Sequence, residues 1–107
     1  MALMNDKLKD PQTDALFDAI LALKTREECY CLFEDLCTVS EIKSLAQRLQ
    51  IASLLYQGRT YAEIFEDTGV STATISRVNR SLEYGADGYR TVLQRMDQAA
   101  GQTTADY

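Results

Sequence analysis

The sequence predicts an all-α fold of six helices built round a helix-turn-helix. Three observations lead there. From Leu16 onward, apolar residues recur at three- and four-residue steps, and no stretch has the alternation that marks a half-buried strand. Three Thr-x-x-Glu boxes (Thr25 with Glu28, Thr38 with Glu41, Thr60 with Glu63) stand ahead of such stretches, and each can satisfy amide donors left free at a helix start. Gly58 and Gly69 close helical stretches, and Gly85 and Gly88 bracket a turn, where glycine accepts backbone that other residues resist.

In chain order, residues 1–12 are polar with one proline and are expected to be flexible. A first helix from Thr13 carries Leu16, Phe17, Ile20, Leu21 and Leu23 on its apolar side. A second, capped by Thr25 and running through Cys37, continues that side with Leu32, Phe33 and Leu36. The third, opened by Thr38 and stopped by Gly58, points Ile42, Leu45, Ala46, Leu49, Ala52 and Leu55 inward. Thr60 opens a short fourth helix with Ile64 and Phe65 apolar, ended by Asp67-Thr68-Gly69. Ser71 caps the fifth, which runs to about Tyr84. Beyond the glycine turn, Tyr89, Val92, Leu93 and Met96 form a short sixth helix. Residues 98–107 have no apolar stripe and are expected to be disordered, leaving one domain over 13–97. A chain of 107 residues with 46% apolar content supports one core and not two.

The fifth helix has two chemically different faces. Val70, Ile75 and Val78 lie to one side, whereas Thr72, Ala73, Ser76, Arg77 and Arg80 point away from it. Small hydrogen-bonding groups followed by cations suit a helix lying in a DNA major groove. Thr72, Ala73 and Ser76 would meet base edges, with Thr60, Ser71, Arg77 and Arg80 toward phosphates or bases. The plain alternative is a buried helical hairpin with a polar outer face, and the combined spacing is hard to obtain from packing alone. A net charge of −5 opposes DNA affinity, but residues 68–82 contain no acid and hold Arg77 and Arg80. A second reading therefore stays open: a protein-interaction module that keeps the helix-turn-helix without strong DNA binding.

Other chemistry finds little support. There is no histidine, so the commonest acid-base catalyst is missing, and no nucleophile-base pairing suggests a catalytic site. Cys29, Cys31 and Cys37 rotate to different sides of one predicted helix. They read as reduced, small apolar residues packed in the fold, and no metal site is assigned. No apolar run is long enough to span a membrane and the N-terminus lacks a secretion pattern, so a cytoplasmic location without membrane partners is expected. The helices carry more apolar side than a monomer of this size would cover, which points to a homodimer.

With the helices placed, the segments LCTVSEIKSLAQRLQIASLLYQG, DTGVSTATISRVNRSLEYG and GYRTVLQR, in that order, resemble the Trp repressor superfamily, in particular its YerC/YecD Trp-repressor-related branch. The resemblance covers about residues 16–96. It implies a Trp-repressor-like fold in an intertwined homodimer, with two reading helices about one DNA turn apart and half-sites related by a two-fold axis, in a bacterial transcription regulator acting as a repressor on double-stranded DNA. Tryptophan-responsive members hold their ligand with a Thr at a helix start, an Arg on the long helix, and an Arg and a Ser on the reading helix. Thr38, Arg48, Arg77 and Ser81 match those positions. The responsive members have Gly immediately after the reading-helix Arg, where this chain has Val78, whose methyl groups would take the space of the indole. The resemblance thus implies no tryptophan cofactor, and leaves open whether a different, unknown small-molecule effector uses this pocket or none does. Phe65 also departs from the small residue many helix-turn-helix units carry where their helices approach.

Overall fold

Asp10 opens the first helix of the computed structural model, which describes the backbone of residues 6–105 and the side chains of residues 6–100. A 3-10 turn at Asp6–Leu8 precedes α1 (Pro11–Ala22), α2 (Arg26–Leu36), α3 (Val39–Tyr56), α4 (Tyr61–Thr68), α5 (Thr72–Tyr84) and α6 (Gly88–Ala105). The fold is all-α, with no strand among the described residues.

Two helix ends differ from the sequence expectation. α1 starts at Pro11 and not Thr13, because the Asp10 carboxylate accepts the Thr13 N–H at 2.7 Å and a proline at the first helical position has no amide to leave unpaired. α6 passes Met96 and continues to Ala105, through residues expected to be disordered. Extending a helix that already exists fixes one residue per hydrogen bond gained, so a stretch with alanine and glutamine can continue it without an apolar stripe. Residues 1–5 and 106–107, the extremes of the two segments expected to be flexible, lie outside the described residues.

The three Thr-x-x-Glu sequences form caps of two kinds. Thr38 and Thr60 each accept the N–H of the glutamate three residues on, at 3.1 and 3.2 Å, and that glutamate accepts the threonine N–H at 2.8 and 2.9 Å. At Thr25 only the first bond forms. Glu28 reaches one residue further back and accepts the Lys24 N–H at 2.7 Å.

The chain divides into two compact units, one ending at Ala46 and the other beginning at Gln47. In the C-terminal unit Ile51, Ala52, Ile64, Val70, Ile75, Val78 and Leu93 form one buried cluster, with Leu54, Leu55, Tyr56 and Tyr89 packed against it. The α3 contribution is phased differently from the sequence reading. Ile51 and Ala52 are fully buried, whereas Leu45 and Leu49 are exposed. Of the residues expected inward, Ala52 and Leu55 do meet this core, whereas Leu45, Ala46 and Leu49 are exposed and Ile51, which the expected stripe left out, is buried in it.

The N-terminal unit has no buried residue in α1 or α2. Leu21 is 81% exposed, Phe17 54% and Leu36 52%, so the apolar sides of these helices are uncovered within the single chain. Cys29 and Cys31 are exposed free thiols and Cys37 is half-buried. The expectation that all three pack as core residues is not met, because these helices have no buried side within the chain.

Candidate nucleic-acid interface

Local backbone chemistry shapes the helix-turn-helix. α4 ends at Gly69, whose φ of 72° is left-handed backbone that glycine adopts without steric penalty. Thr68 joins the turn together: its hydroxyl donates to the Ile64 carbonyl at 2.7 Å and accepts the Val70 N–H at 3.2 Å. Ser71 then caps α5, accepting the Thr74 N–H at 3.3 Å, with its hydroxyl 3.1 Å from that of Thr74.

Packing sets the roll of α5. Ile75, Val78 and Leu82 are buried and fasten one side, so Thr72, Ala73, Ser76, Arg77 and Arg80 are all exposed. Arg77 and Arg80 make no ion pair among the described residues, and the first turn of α5 carries no acid. Thr60 and Ser71 stand at the N-terminal ends of α4 and α5, where free amides and the helix dipole favour an anion. The seven residues expected to face DNA thus share exposed positions on α4, the turn and α5. Asp67 and Glu66 are the exposed acids nearest the turn on α4.

Two arginines outside that set hold the frame. Arg90 donates from Nε to the Leu82 carbonyl at 3.1 Å, satisfying an acceptor left free at the end of α5, and pairs with Glu83 at 3.2 Å. Arg59, just before the α4 cap, pairs with Glu63 at 3.5 Å and with Asp67 in closer contact. The Asp67 hydrogen bond first, and then the surrounding negative charge, raise the guanidinium pKa. The Glu63 carboxyl is lowered chiefly by its bond from the Thr60 backbone, next by the Thr60 side chain, and to a smaller extent by Arg59. Sequence reasoning passed over Arg59, and placed Thr68 at the stop of α4 without the bridging role of its hydroxyl. Spacing of four and eight residues from Arg59 to Glu63 and Asp67 was the available signal for the first, and a hydroxyl directly before the turn glycine for the second.

The residues expected to form an effector pocket stand in different local settings. Thr38 caps α3 in the N-terminal unit, with its hydroxyl oxygen engaged by the Glu41 N–H. In the C-terminal unit Arg48 and Arg77 are exposed, and Val78 is buried at 4% exposure in the cluster with Ile51 and Ile75. Ser81 lines an open groove of about 580 Å³ with Leu49, Gly85, Ala86, Gly88, Tyr89 and Val92. Arg48, Arg77 and Val78 do not line it. Gly85 is required at this bend, because a Cβ there would lie 2.3 Å from the Ser81 carbonyl oxygen.

No group of three or more metal-ligating side chains occurs among the described residues, and no helix among them is long and apolar enough to cross a membrane.

Comparison with known proteins places this arrangement. The family model described as Trp repressor protein matches residues 11–97. YerC of Bacillus subtilis (strain 168), an uncharacterised protein, is 51% identical over 100 residues, covering 94% of this chain and 96% of its own. A crystal structure of a Staphylococcus aureus protein provisionally called a Trp repressor superposes with a TM-score of 0.83 at 56% identity, covering 90% of this chain and 96% of that one. A TrpR-like protein from Eubacterium eligens ATCC 27750 gives a TM-score of 0.82, also at 56% identity, over 87% of this chain and 96% of its own.

Proposed function

Because the chain belongs to the Trp repressor family, we propose that it is a sequence-specific transcription regulator, acting as a repressor, that reads the major groove of double-stranded DNA as a homodimer and does not depend on tryptophan. The observation that carries this reading is the exposed side of α5, which carries no acid from Thr72 to Leu82. Thr72, Ala73 and Ser76 offer small groups to base edges, Arg77 and Arg80 bring unpaired cations, and Thr60 and Ser71 present helix N-termini to phosphates. The dimer is supported by the uncovered Leu16, Phe17, Leu21 and Leu36 of α1 and α2, which a second copy can bury. Independence from tryptophan is supported by Val78. It is embedded in the core, and adding an indole against a packed side chain costs about 1–3 kcal/mol.

Selection from random duplex DNA tests the proposal, run with and without a cellular small-molecule extract and with tryptophan alone. Enrichment of a two-fold symmetric site with half-sites about one helical turn apart, unchanged by tryptophan, is the expected result. Extract-dependent enrichment would identify an effector. No enriched site at low salt would remove the DNA reading and leave the helix-turn-helix as a protein-interaction module.

A further inference from the structure

The ion pair at the start of α4 ties up a cation at the end of the helix-turn-helix that the DNA reading turns toward phosphates. Arg59 directly precedes the Thr60 cap, and its own N–H is anchored on the Leu54 carbonyl at 3.1 Å, so its backbone position is fixed. Its side chain keeps 34% exposure and lies along α4 against Glu63 and Asp67, one and two turns on, which are themselves about half exposed. The two carboxylates differ in what else they do. Glu63 is committed to the capping box through the Thr60 N–H, whereas Arg59 is the partner found for Asp67.

We infer that Asp67 is a built-in competitor for DNA phosphate: it holds the Arg59 guanidinium in the free protein, and DNA must displace it to gain that contact. This rests on the DNA-binding reading. In a helix-turn-helix the first helix crosses the DNA backbone, which brings its N-terminal end toward phosphates. Exposed ion pairs add little stability, so the pair can be exchanged, and a phosphate offers the planar guanidinium an equally matched bidentate partner. Until that exchange occurs the protein meets DNA with fewer free cations. Weak grip on arbitrary sequence follows, leaving discrimination to the base-facing side chains of α5.

The test compares full-length wild type, Asp67→Asn, Glu66→Gln and the double variant Arg59→Ala/Asp67→Asn. Binding to a fluorescently labelled mixed-sequence duplex is measured by anisotropy across a salt series, with thermal unfolding of each protein. Glu66 is the control, being an exposed carboxylate on the same helix that makes no ion pair among the described residues, so its neutralisation changes the charge equally without releasing Arg59. Asp67→Asn is expected to bind several-fold tighter than Glu66→Gln and to steepen the salt dependence by about 0.9 per subunit, the signature of one added phosphate contact. Arg59→Ala in the Asp67→Asn background should abolish both gains. Equal effects of Asp67→Asn and Glu66→Gln would overturn the inference, since net charge alone would then account for them. Weaker binding by Asp67→Asn with a lower unfolding temperature would overturn it in favour of a purely structural clamp. Wild type that fails to bind the duplex at low salt would remove the DNA reading and this inference together, whereas wild type that binds while the first two variants coincide removes the inference alone.

Discussion

Thr68 shows how one side chain can hold a turn that its neighbours only permit. Gly69 allows the left-handed backbone, but the Thr68 hydroxyl links the Ile64 carbonyl on α4 to the Val70 N–H beyond the turn. Thr68→Val keeps the shape and removes both bonds, leaving the half-buried amide of Val70 without that partner. A loss of about 1–2 kcal/mol is expected, measured by urea unfolding, with Thr68→Ser retaining most of the stability because it keeps the hydroxyl. Equal stability of the valine variant would show that the hydroxyl bridge contributes nothing. The residue-level chemistry was partly legible in the sequence. Ser71, Thr38 and Thr60 act as caps as their types and spacing suggest, since those bonds depend only on residues three apart. Glu28 was misassigned by one residue because the Lys24 and Thr25 amides lie within reach of the same flexible carboxylate, and only the folded backbone selects between them.

At the scale of the element, the capping boxes make the helix starts sensitive to acid. Glu41 and Glu63 have carboxyls held below their ordinary value, first by backbone bonds from Thr38 and Thr60, and Asp10 is lowered in the same way by the Thr13 backbone. For a group whose folded pKa is depressed, the stabilisation is complete above its unfolded value, about 4.3 for glutamate, and is lost as pH falls through the lower folded value. Unfolding free energy should therefore decline on acidification below about pH 5, and Glu63→Gln should decline less steeply, because glutamine can still accept the Thr60 N–H but does not titrate. Urea titrations at stepped pH would detect the difference, and parallel curves for the two proteins would refute the assignment to Glu63. The two faces of α5 were legible for a related reason. The core and exposed sides of this helix separate cleanly by helical periodicity, so the sequence alone puts Ile75 and Val78 inside and Thr72, Ala73, Ser76, Arg77 and Arg80 outside. On α3, where apolar residues occupy more than one side, periodicity picked Leu45 and Leu49 and missed Ile51.

At the scale of the whole molecule, α1 and α2 leave Phe17, Leu21 and Leu36 uncovered within the single chain, the residues that the proposed dimer would bury. Leu21 and Phe17 are spaced four residues apart and both project from α1 unburied. Full burial of a leucine contributes about 1.5–3 kcal/mol, and a glutamate in its place must be desolvated. If a second copy covers this face, Leu21→Glu should weaken the dimer by at least about tenfold, read by analytical ultracentrifugation over a concentration series, and should weaken duplex binding with it. A dimer unaffected by Leu21→Glu would place the contact elsewhere. The sequence by itself determined the helical class, the turn positions, the caps at Thr38, Thr60 and Ser71 and the two-sided character of α5, because each depends on residues within about one or two helical turns of one another. Only the tertiary structure decided that Ile51 and not Leu49 enters the core, that Val78 is sealed among Ile51 and Ile75, that Thr68 bridges the turn, and that Arg59 is held by Asp67. Those outcomes depend on which of several available faces and partners meet, and that choice is made by packing between elements distant in the chain or by side chains with more than one reachable acceptor.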